Sequence, residues 1–314
     1  AVSLWRAATG REVDGVIALD PYVLQGLLEV VGSVEVEGVT YDADSVLVYL
    51  LQGQYEAFDL GDEAEPAGLP AGQTLDESDE SQELRDERRD QLSALATAVA
   101  NELGTAEWDP LDLVRALRPA AEGRHILVYS VDPAEQAGWA ALGVDGRLEG
   151  VETGFSWLNT GASKLDPFLD VSVDVTESLD IDVRTVTYLV TTTNRATAAL
   201  PDYALGPWET LDLPEAGSYR GRLAFYAPNG VVGAELDPAL DVDVFGPDGE
   251  LLLVASAPVT VLPGETVSYR FTYRLPASHE IVEILPSARF PATGWSWGDR
   301  TFDDSAARTI RLGG

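Results

Sequence analysis

The chain has 314 residues, of which 45% are hydrophobic, and its formal net charge is −33. This length and composition predict a globular protein with room for two domains, and the negative charge disfavours nucleic acid and anionic lipid headgroups as general partners. The absence of cysteine excludes disulfides, a thiol nucleophile and cysteine metal ligands.

Short strand and helix patterns alternate in the first part of the chain. Val13–Leu19 is a run of apolar and β-branched residues that predicts a buried strand. Asp20 and Pro21 suit the cap and first turn of a helix that ends at Gly32. The next predicted elements are a hairpin over 34–41, a helix over 46–51, a helix from Asp109 to Pro119, a strand over 124–130 and a helix over 133–142.

A long acidic loop is predicted over residues 53–81, where proline and glycine recur without a periodic pattern. Residues 59–90 hold twelve acidic side chains. The loop leads into a helix predicted over Glu80–Leu103, which has a leucine stripe on its buried side and is stopped by Gly104.

The second part of the chain has the two-residue period of strands. Polar and apolar residues alternate in Asp170–Thr176, and turn residues but no helix pattern separate the runs that follow. These similar short runs cover residues 183–193, 219–226, 240–245, 251–255, 259–262, 266–274 and 281–285. We therefore predict an α/β domain over residues 1–170, which contains the acidic loop, followed by an all-β sandwich domain over residues 171–314.

Arg85, Arg88 and Arg89 are the strongest candidates for a binding site. Their spacing places them on one side of the predicted long helix, opposite the leucine stripe. Three guanidinium groups facing a cleft could bind phosphate or pyrophosphate through bidentate hydrogen bonds. The alternative is a solvated helix face on which these arginines pair with neighbouring carboxylates.

Metal and histidine chemistry has weaker support. Asp241 and Asp243, with Asp248 close by, are weak candidates for a Ca²⁺ site, although no EF-hand loop is present and solvent-facing alternation explains them equally well. His125 at the start of a strand is typical of a hydrogen-bonded structural residue, and His279 has no obvious partner. No cofactor is predicted beyond a possible Ca²⁺ or Mg²⁺ ion.

Two tryptophans, Trp295 and Trp297, flank Ser296 and share one side of an extended strand. If exposed, they would form a contact patch for a sugar or a protein; otherwise they belong to the sandwich core. No G-x-S-x-G, G-x-G-x-x-G or G-x-x-x-x-G-K motif is present, so no hydrolase triad or nucleotide loop is indicated.

Five segments resemble a bacterial envelope family of unknown function, DUF4012: Val13–Val34, Gly123–Ser130, Ser163–Asp170, Leu200–Gly206 and Thr272–Pro276. This resemblance implies an extracellular protein of high-GC Gram-positive cells, held by a membrane helix upstream of the present sequence.

A more distant resemblance is to the LytR-CpsA-Psr phosphotransferases, which transfer glycopolymers from polyprenyl-pyrophosphate carriers. Arg85–Gln91 is similar to their pyrophosphate-binding signature, but Gln91 is displaced from the paired position. The resemblance implies an incomplete LytR-CpsA-Psr-like α/β domain in which no catalytic residue is assigned.

These observations favour a non-catalytic envelope or surface-assembly protein outside the cell. Its sandwich would contact a protein partner or a cell-wall polymer, or a second copy of the chain. Two alternatives remain open: a glycopolymer phosphotransferase that uses the three arginines, and a calcium-stabilised adhesin-like module.

Overall fold

The structure is a computed structural model that describes residues 2–53, 92–148, 150–248 and 252–313. The predicted acidic loop, from residue 54 onward, and the predicted arginine cluster lie outside these ranges. Within them the chain is mostly β-sheet with a few helices, which confirms the expectation of a β-rich fold.

The described part of residues 2–148, called here the N-terminal unit, holds six α-helices, one π-helical segment (Tyr49–Gly53) and four short strands. The helices are α1 (Val2–Thr9), α2 (Pro21–Val31), α3 (Val46–Val48), α4 (residues 92–105), α5 (Pro110–Glu122) and α6 (Pro133–Ala141). The strands are β1 (Gly15–Leu19), β2 (Val34–Val36), β3 (Val39–Tyr41) and β4 (Ile126–Ser130). They form two separate antiparallel pairs, β1 with β4 and β2 with β3.

Helices α2 and α5 pack closely because Gly26 has no side chain. A Cβ at Gly26 would lie 2.7 Å from the carbonyl oxygen of Ala116, so any larger residue would push the helices apart. A small core lies beside this helix pair, where Leu28, Tyr41 and Leu95 are almost fully buried. This core belongs to the helices and the β2–β3 hairpin, and the β1–β4 sheet lies outside it.

Two helices extend beyond their predicted ends. Helix α5 continues through Pro119 to Glu122, because a proline can itself adopt helical dihedral angles and the Gly123 N–H closes the last turn on the Pro119 carbonyl at 2.9 Å. Helix α4 runs to residue 105, past the predicted stop at Gly104. Its Leu92 is 43% exposed, so the predicted leucine stripe is only partly buried.

The remaining strands build two sheets that pack face to face. In chain order they are β5 (Glu152–Asn159), β6 (Leu169–Asp180), β7 (Val183–Asn194), β8 (Tyr219–Pro228), β9 (Gly233–Leu236), β10 (Val244–Asp248), β11 (Leu252–Val261), β12 (Thr266–Pro276), β13 (Ile281–Ile284), β14 (Gly294–Trp297), β15 (Arg300–Asp303) and β16 (Arg308–Arg311). One sheet has the order β10-β11-β8-β5-β13-β16 and the other β15-β14-β6-β7-β12-β9. Most neighbours are antiparallel, while β13 with β5 and β14 with β6 are parallel.

The core of this sandwich is aromatic. The rings of Phe225 and Phe271 stack across the two sheets with centroids 4.9 Å apart. The hydroxyl of Thr153 lies 2.5 Å from that of Tyr188 and donates to that of Tyr273 at 3.1 Å, so a buried polar network also joins the sheets. A network in which each hydroxyl has a partner fixes the relative position of the sheets as well as adding stability.

The sandwich begins before the predicted boundary near residue 170. Strand β5 pairs with β8 from Gly154 to Asn159 and lies inside a six-stranded sheet. The division into two domains stays a prediction, and a LytR-CpsA-Psr-like α/β domain is not confirmed. Among the described residues, no helix has both the length and the apolar character needed to cross a bilayer.

Candidate functional site

His125 and Asp20 form a hydrogen-bonded pair where α2 and β4 begin. His125 Nδ1 lies 2.5 Å from Asp20 Oδ2, and Asp20 Oδ1 accepts the backbone N–H of Tyr22 at 2.9 Å. Asp20 is the cap of α2 and Pro21 occupies its first turn, as the sequence predicts. One carboxylate therefore fixes the start of the helix and orients the imidazole.

The imidazole of His125 is buried by its neighbours. Its side chain is 4% exposed, and the ring of Tyr22 stacks on it with centroids 3.7 Å apart. A Cβ on Gly123 would lie 2.9 Å from His125 Nε2 and 2.7 Å from the Ser305 carbonyl oxygen. Because the imidazole is buried beneath Tyr22 and beside Gly123, the pair is closed to a ligand and is not placed to act as a general base. The prediction of a hydrogen-bonded structural histidine is confirmed.

Tyr22 joins the N-terminal unit to the sandwich. Its hydroxyl donates to the backbone oxygen of Arg289 at 3.2 Å, and its ring meets that of Phe290 edge-on with centroids 6.4 Å apart. Burial, followed by the negative charge of Asp20, raises the pKa of Tyr22 to about 12. The hydroxyl therefore keeps its proton, and its donor role, throughout the physiological pH range.

Arg289 is a buried cation that no sequence motif marks. Its Nη2 donates to the backbone oxygens of Asp166 and Leu169 at 3.1 and 3.2 Å, and its Nη1 has no partner among the described residues. Burial lowers its pKa from the usual arginine value. Arg289 therefore tethers the loop before β14 to the start of β6, and this contact is structural because it uses main-chain acceptors inside the fold.

Asp166 belongs to the segment Ser163–Asp170 that carries part of the family resemblance. Its two carboxylate oxygens accept from the Tyr219 hydroxyl at 3.0 Å and from Asn159 Nδ2 at 2.8 Å. Burial and the nearby Asp166 carboxylate raise the pKa of Tyr219. Both oxygens are used within the sandwich, so Asp166 holds the fold together at this point and is not free for a ligand.

A groove of about 640 Å³ lies against one face of the β1–β4 sheet. Its walls combine that face with the start of α1 and the loop after α6: Val2, Ser3, Arg6, Val16, Ala18, Leu127, Val128, Tyr129 and Asp145. The lining is mainly apolar, with one cation and one carboxylate among these nine residues. Such a surface suits an apolar polypeptide better than a polar metabolite.

Large apolar side chains are uncovered over much of the N-terminal unit. The most exposed are spread over α1, β1, α5, β4 and the loop after α6: Leu4 73%, Ile17 62%, Leu19 59%, Leu111 61%, Val114 66%, Tyr129 51% and Leu142 69%. Single exposed apolar residues are ordinary, but this density on so small a unit is typical of a contact surface.

The predicted anion site falls outside the described part of the chain, and the predicted metal site is not formed within it. Arg85, Arg88 and Arg89 lie outside the described residues, so the anion site stays a prediction. Among the described residues, no group of three or more His, Cys, Asp or Glu side chains is placed to hold a metal ion.

The carboxylate of Asp243, a weak calcium candidate, is held by Arg222 through contacts of 2.5 and 2.7 Å. This pairing lowers the pKa of Asp243. Asp241 is exposed near this pair, and the side chain of Asp248 is outside the described part. A carboxylate occupied by a guanidinium is a poor calcium ligand, because the two cations would compete for the same oxygens.

Trp295 and Trp297 lie in the core and not on a contact patch. They are 2% and 6% exposed, and the ring of Tyr188 meets each of them edge-on at 5.5 and 6.2 Å. Strand β14 pairs with β6, so both indoles point into the space between the sheets. The contact-patch prediction for these two residues is wrong for that reason.

Comparisons with known proteins bear on the N-terminal residues. Residues 1–55 match the family model described as "Protein of unknown function (DUF4012)", which confirms the resemblance predicted for that part of the chain. No curated protein matches the sequence.

One solved structure, from Legionella pneumophila and described provisionally as a nutrient binding protein, is similar at 10% identity. The match covers 46% of this chain and 48% of that one, with a TM-score of 0.25. The chain thus spans about half the length of that neighbour, and a likeness at this TM-score carries no argument about fold or function.

Proposed function

We propose that this chain is a non-catalytic assembly protein of the bacterial cell envelope, acting outside the membrane through contacts with a protein partner or a cell-wall polymer. The observation that carries the proposal is the uncovered apolar surface of the N-terminal unit, where Val114 and Leu142 are 66% and 69% exposed. The sandwich is a suitable support for such a surface, because its own apolar residues are largely buried in its core.

The way in which the titratable groups of the described residues are engaged supports the same proposal. The one Asp–His pair among the described residues is closed off by Tyr22 and Gly123, and the Arg289 guanidinium is buried against main-chain oxygens. The alternative function, a glycopolymer phosphotransferase, depends on Arg85, Arg88 and Arg89, which the structure does not describe, and stays a hypothesis. The calcium-stabilised adhesin has no support from the described carboxylates.

The test compares two surface variants that leave the cores intact. The first replaces Leu111, Val114 and Leu142 in the N-terminal unit by serine, and the matched control replaces the exposed Ile181 and Val232 of the sandwich. Sedimentation velocity would measure self-association, and co-sedimentation with purified cell walls would measure binding to the polymer. We expect one of the two interactions in the wild type, lost in the first variant and kept in the control. A wild-type monomer that binds no cell wall would overturn the proposal.

A further inference from the structure

Strand β1 is an open edge of its sheet. Three hydrogen bonds donated by backbone N–H groups show the direction in which the N–H and C=O groups of β1 and β4 point. The Val131 N–H donates to the Asp14 carbonyl at 2.8 Å, while the Val128 and Ser130 N–H groups point away from β1, to the Val144 carbonyl at 2.7 Å and the Gln136 side chain at 2.8 Å. The far side of β4 is therefore already occupied.

Along an antiparallel strand, the N–H and C=O groups of successive residues point alternately toward the partner strand and away from it. With Asp14 bonded to Val131, the residues of β1 that face β4 are Val16 and Ala18. The N–H and C=O groups of Gly15, Ile17 and Leu19 consequently point to the open side. In the part of the chain that the structure describes, these three residues make no hydrogen bond on that side.

A two-stranded sheet has fewer strands than an apolar sheet normally needs to be stable in water. Isolated two-stranded sheets are marginally stable in water, and three or more strands are usual. The strand GVIAL has no charged residue, proline or bulge to protect its edge, and its Ile17 and Leu19 side chains are 62% and 59% exposed. The open edge and the apolar side chains therefore favour the addition of a third strand.

An added strand would fit the surroundings of β1 on both faces. It would lie about 4.8 Å from β1, and its side chains would alternate between the two faces of the sheet. On one face they would enter the 640 Å³ groove beside Val16 and Ala18. On the other face they would cover Ile17 and Leu19.

A second copy of β1 is a poor candidate for this strand. The antiparallel register that uses all three free residues on both strands pairs Ile17 with Ile17 of the other copy. It also places Asp14 opposite Asp20 at both ends of the pair. Two opposed carboxylate pairs are destabilising, and two chains of net charge −33 repel each other at longer range.

The charges around β1 favour a basic partner. Residues 11–20 contain the carboxylates of Glu12, Asp14 and Asp20 and one guanidinium, that of Arg11. The nearby Arg6 is already paired with Glu12 at 3.3 Å. An acidic residue thus lies at each end of the apolar strand, Asp14 before it and Asp20 after it. These negative charges favour a segment with positive charges at its ends and fix its register.

We propose that β1 is the docking edge for a strand of a partner protein, namely an extended apolar segment of about five residues with lysine or arginine at both ends. This inference rests on the proposed assembly function and names the chemistry of the partner. It concerns the backbone edge at Gly15, Ile17 and Leu19, whereas the function test above concerns α5 and the loop after α6.

The test uses the whole chain and the peptide Lys-Lys-Val-Thr-Val-Thr-Val-Lys-Lys, with NMR-detected amide exchange as the readout. We expect exchange at Gly15, Ile17 and Leu19 to slow on binding, while exchange at Val16 and Ala18, which already face β4, changes little. A peptide with glutamate in place of every lysine is the matched control and should bind roughly tenfold more weakly. No binding of the lysine peptide, or binding without the alternating protection, would overturn the inference.

Two variants sharpen the result. Asp14→Lys should weaken binding of the lysine peptide and strengthen binding of the glutamate peptide, because it reverses the charge at one end of β1. Ile17→Pro removes an N–H that only the docking edge uses, so peptide binding should be lost while the β1–β4 pairing remains. Equal binding of both peptides to Asp14→Lys would contradict the charge argument. If the peptide test fails while the serine variants above still lose cell-wall binding, only the docking edge is wrong.

Discussion

In the sandwich, Phe225, Phe271 and Tyr273 are fully buried between two six-stranded sheets, whereas Ile17 and Leu19 of the N-terminal unit are more than half exposed on a two-stranded sheet. Both regions contain strands that carry apolar side chains. They differ in the number of layers available to cover those strands. The sandwich can satisfy its apolar side chains and backbone groups internally, and the β1–β4 sheet cannot.

This difference separates residues that stabilise the fold from groups that are available for binding. Residues whose hydrogen bonds lie inside the fold, such as Asp166 and Arg289, explain how the sandwich is held together. Groups that the fold leaves unused, such as the outer edge of β1, indicate what the protein can bind. The predictions below separate these two kinds of residue by the size of their effects.

The largest effect is expected in the sandwich core. Phe271→Ala removes a fully buried ring stacked on Phe225, so the free energy of unfolding should fall by about 3–5 kcal/mol. The matched change in the other region, Leu142→Ala at a 69% exposed residue, should alter it by less than about 0.5 kcal/mol. Urea denaturation measures both, and similar losses would contradict the comparison.

A smaller loss is expected at the junction. Asp20→Ala removes the cap of α2 and the partner of His125 together, at a cost of about 1–2 kcal/mol. Asp20→Asn keeps a capping acceptor and should cost less. Amide exchange in α2 should quicken in the alanine variant while β7 and β12 stay protected. Equal effects of the two substitutions would show that the cap is unimportant.

A further, pH-dependent effect is expected at Tyr22. Its pKa is raised to about 12, so the neutral hydroxyl is favoured in the folded state. This contribution is fully present below the unfolded pKa near 10 and is lost as the pH rises toward about 12. The stability of Tyr22→Phe should therefore fall less steeply than that of the wild type across this window. Parallel stability curves for the two proteins would contradict the placement of Tyr22.

The smallest effect is expected at the Arg222–Asp243 pair, which is exposed to solvent. Asp243→Asn should leave the melting temperature nearly unchanged, because exposed ion pairs contribute little. Added Ca²⁺ or a chelator should also leave it unchanged. A calcium-dependent rise in melting temperature that Asp243→Asn abolishes would restore the calcium hypothesis.

Local patterns in the sequence predicted much of this fold. The cap at Asp20, the following helix and the long strands β6, β7, β8 and β12 all have strong local signals, and the structure confirms them. Short strands such as β9, β15 and β16 were missed because four residues carry too little periodicity. Strand β5 was missed because it is buried on both faces for most of its length, so its residues do not alternate.

The site was harder to predict than the fold. Burial of Trp295 and Trp297 depends on the pairing of β14 with β6, which are more than a hundred residues apart in the chain. The role of Arg289 depends on carbonyl groups of Asp166 and Leu169, which no motif marks. The open edge of β1 depends on which strands exist beside it. A residue pattern that predicts a buried strand does not show whether the described sheet has another strand on its outer side.

Native-state hydrogen exchange of the free chain tests the central comparison most directly. We expect the amides of Tyr188 and Tyr273, in the middle of the sandwich, to exchange only through global unfolding. The amides of Gly15, Ile17 and Leu19 should exchange orders of magnitude faster, close to the rates of exposed loops, with Val16 and Ala18 slower than their neighbours. Uniform strong protection along Gly15–Leu19 would contradict the account, because it would mean that this edge is already satisfied.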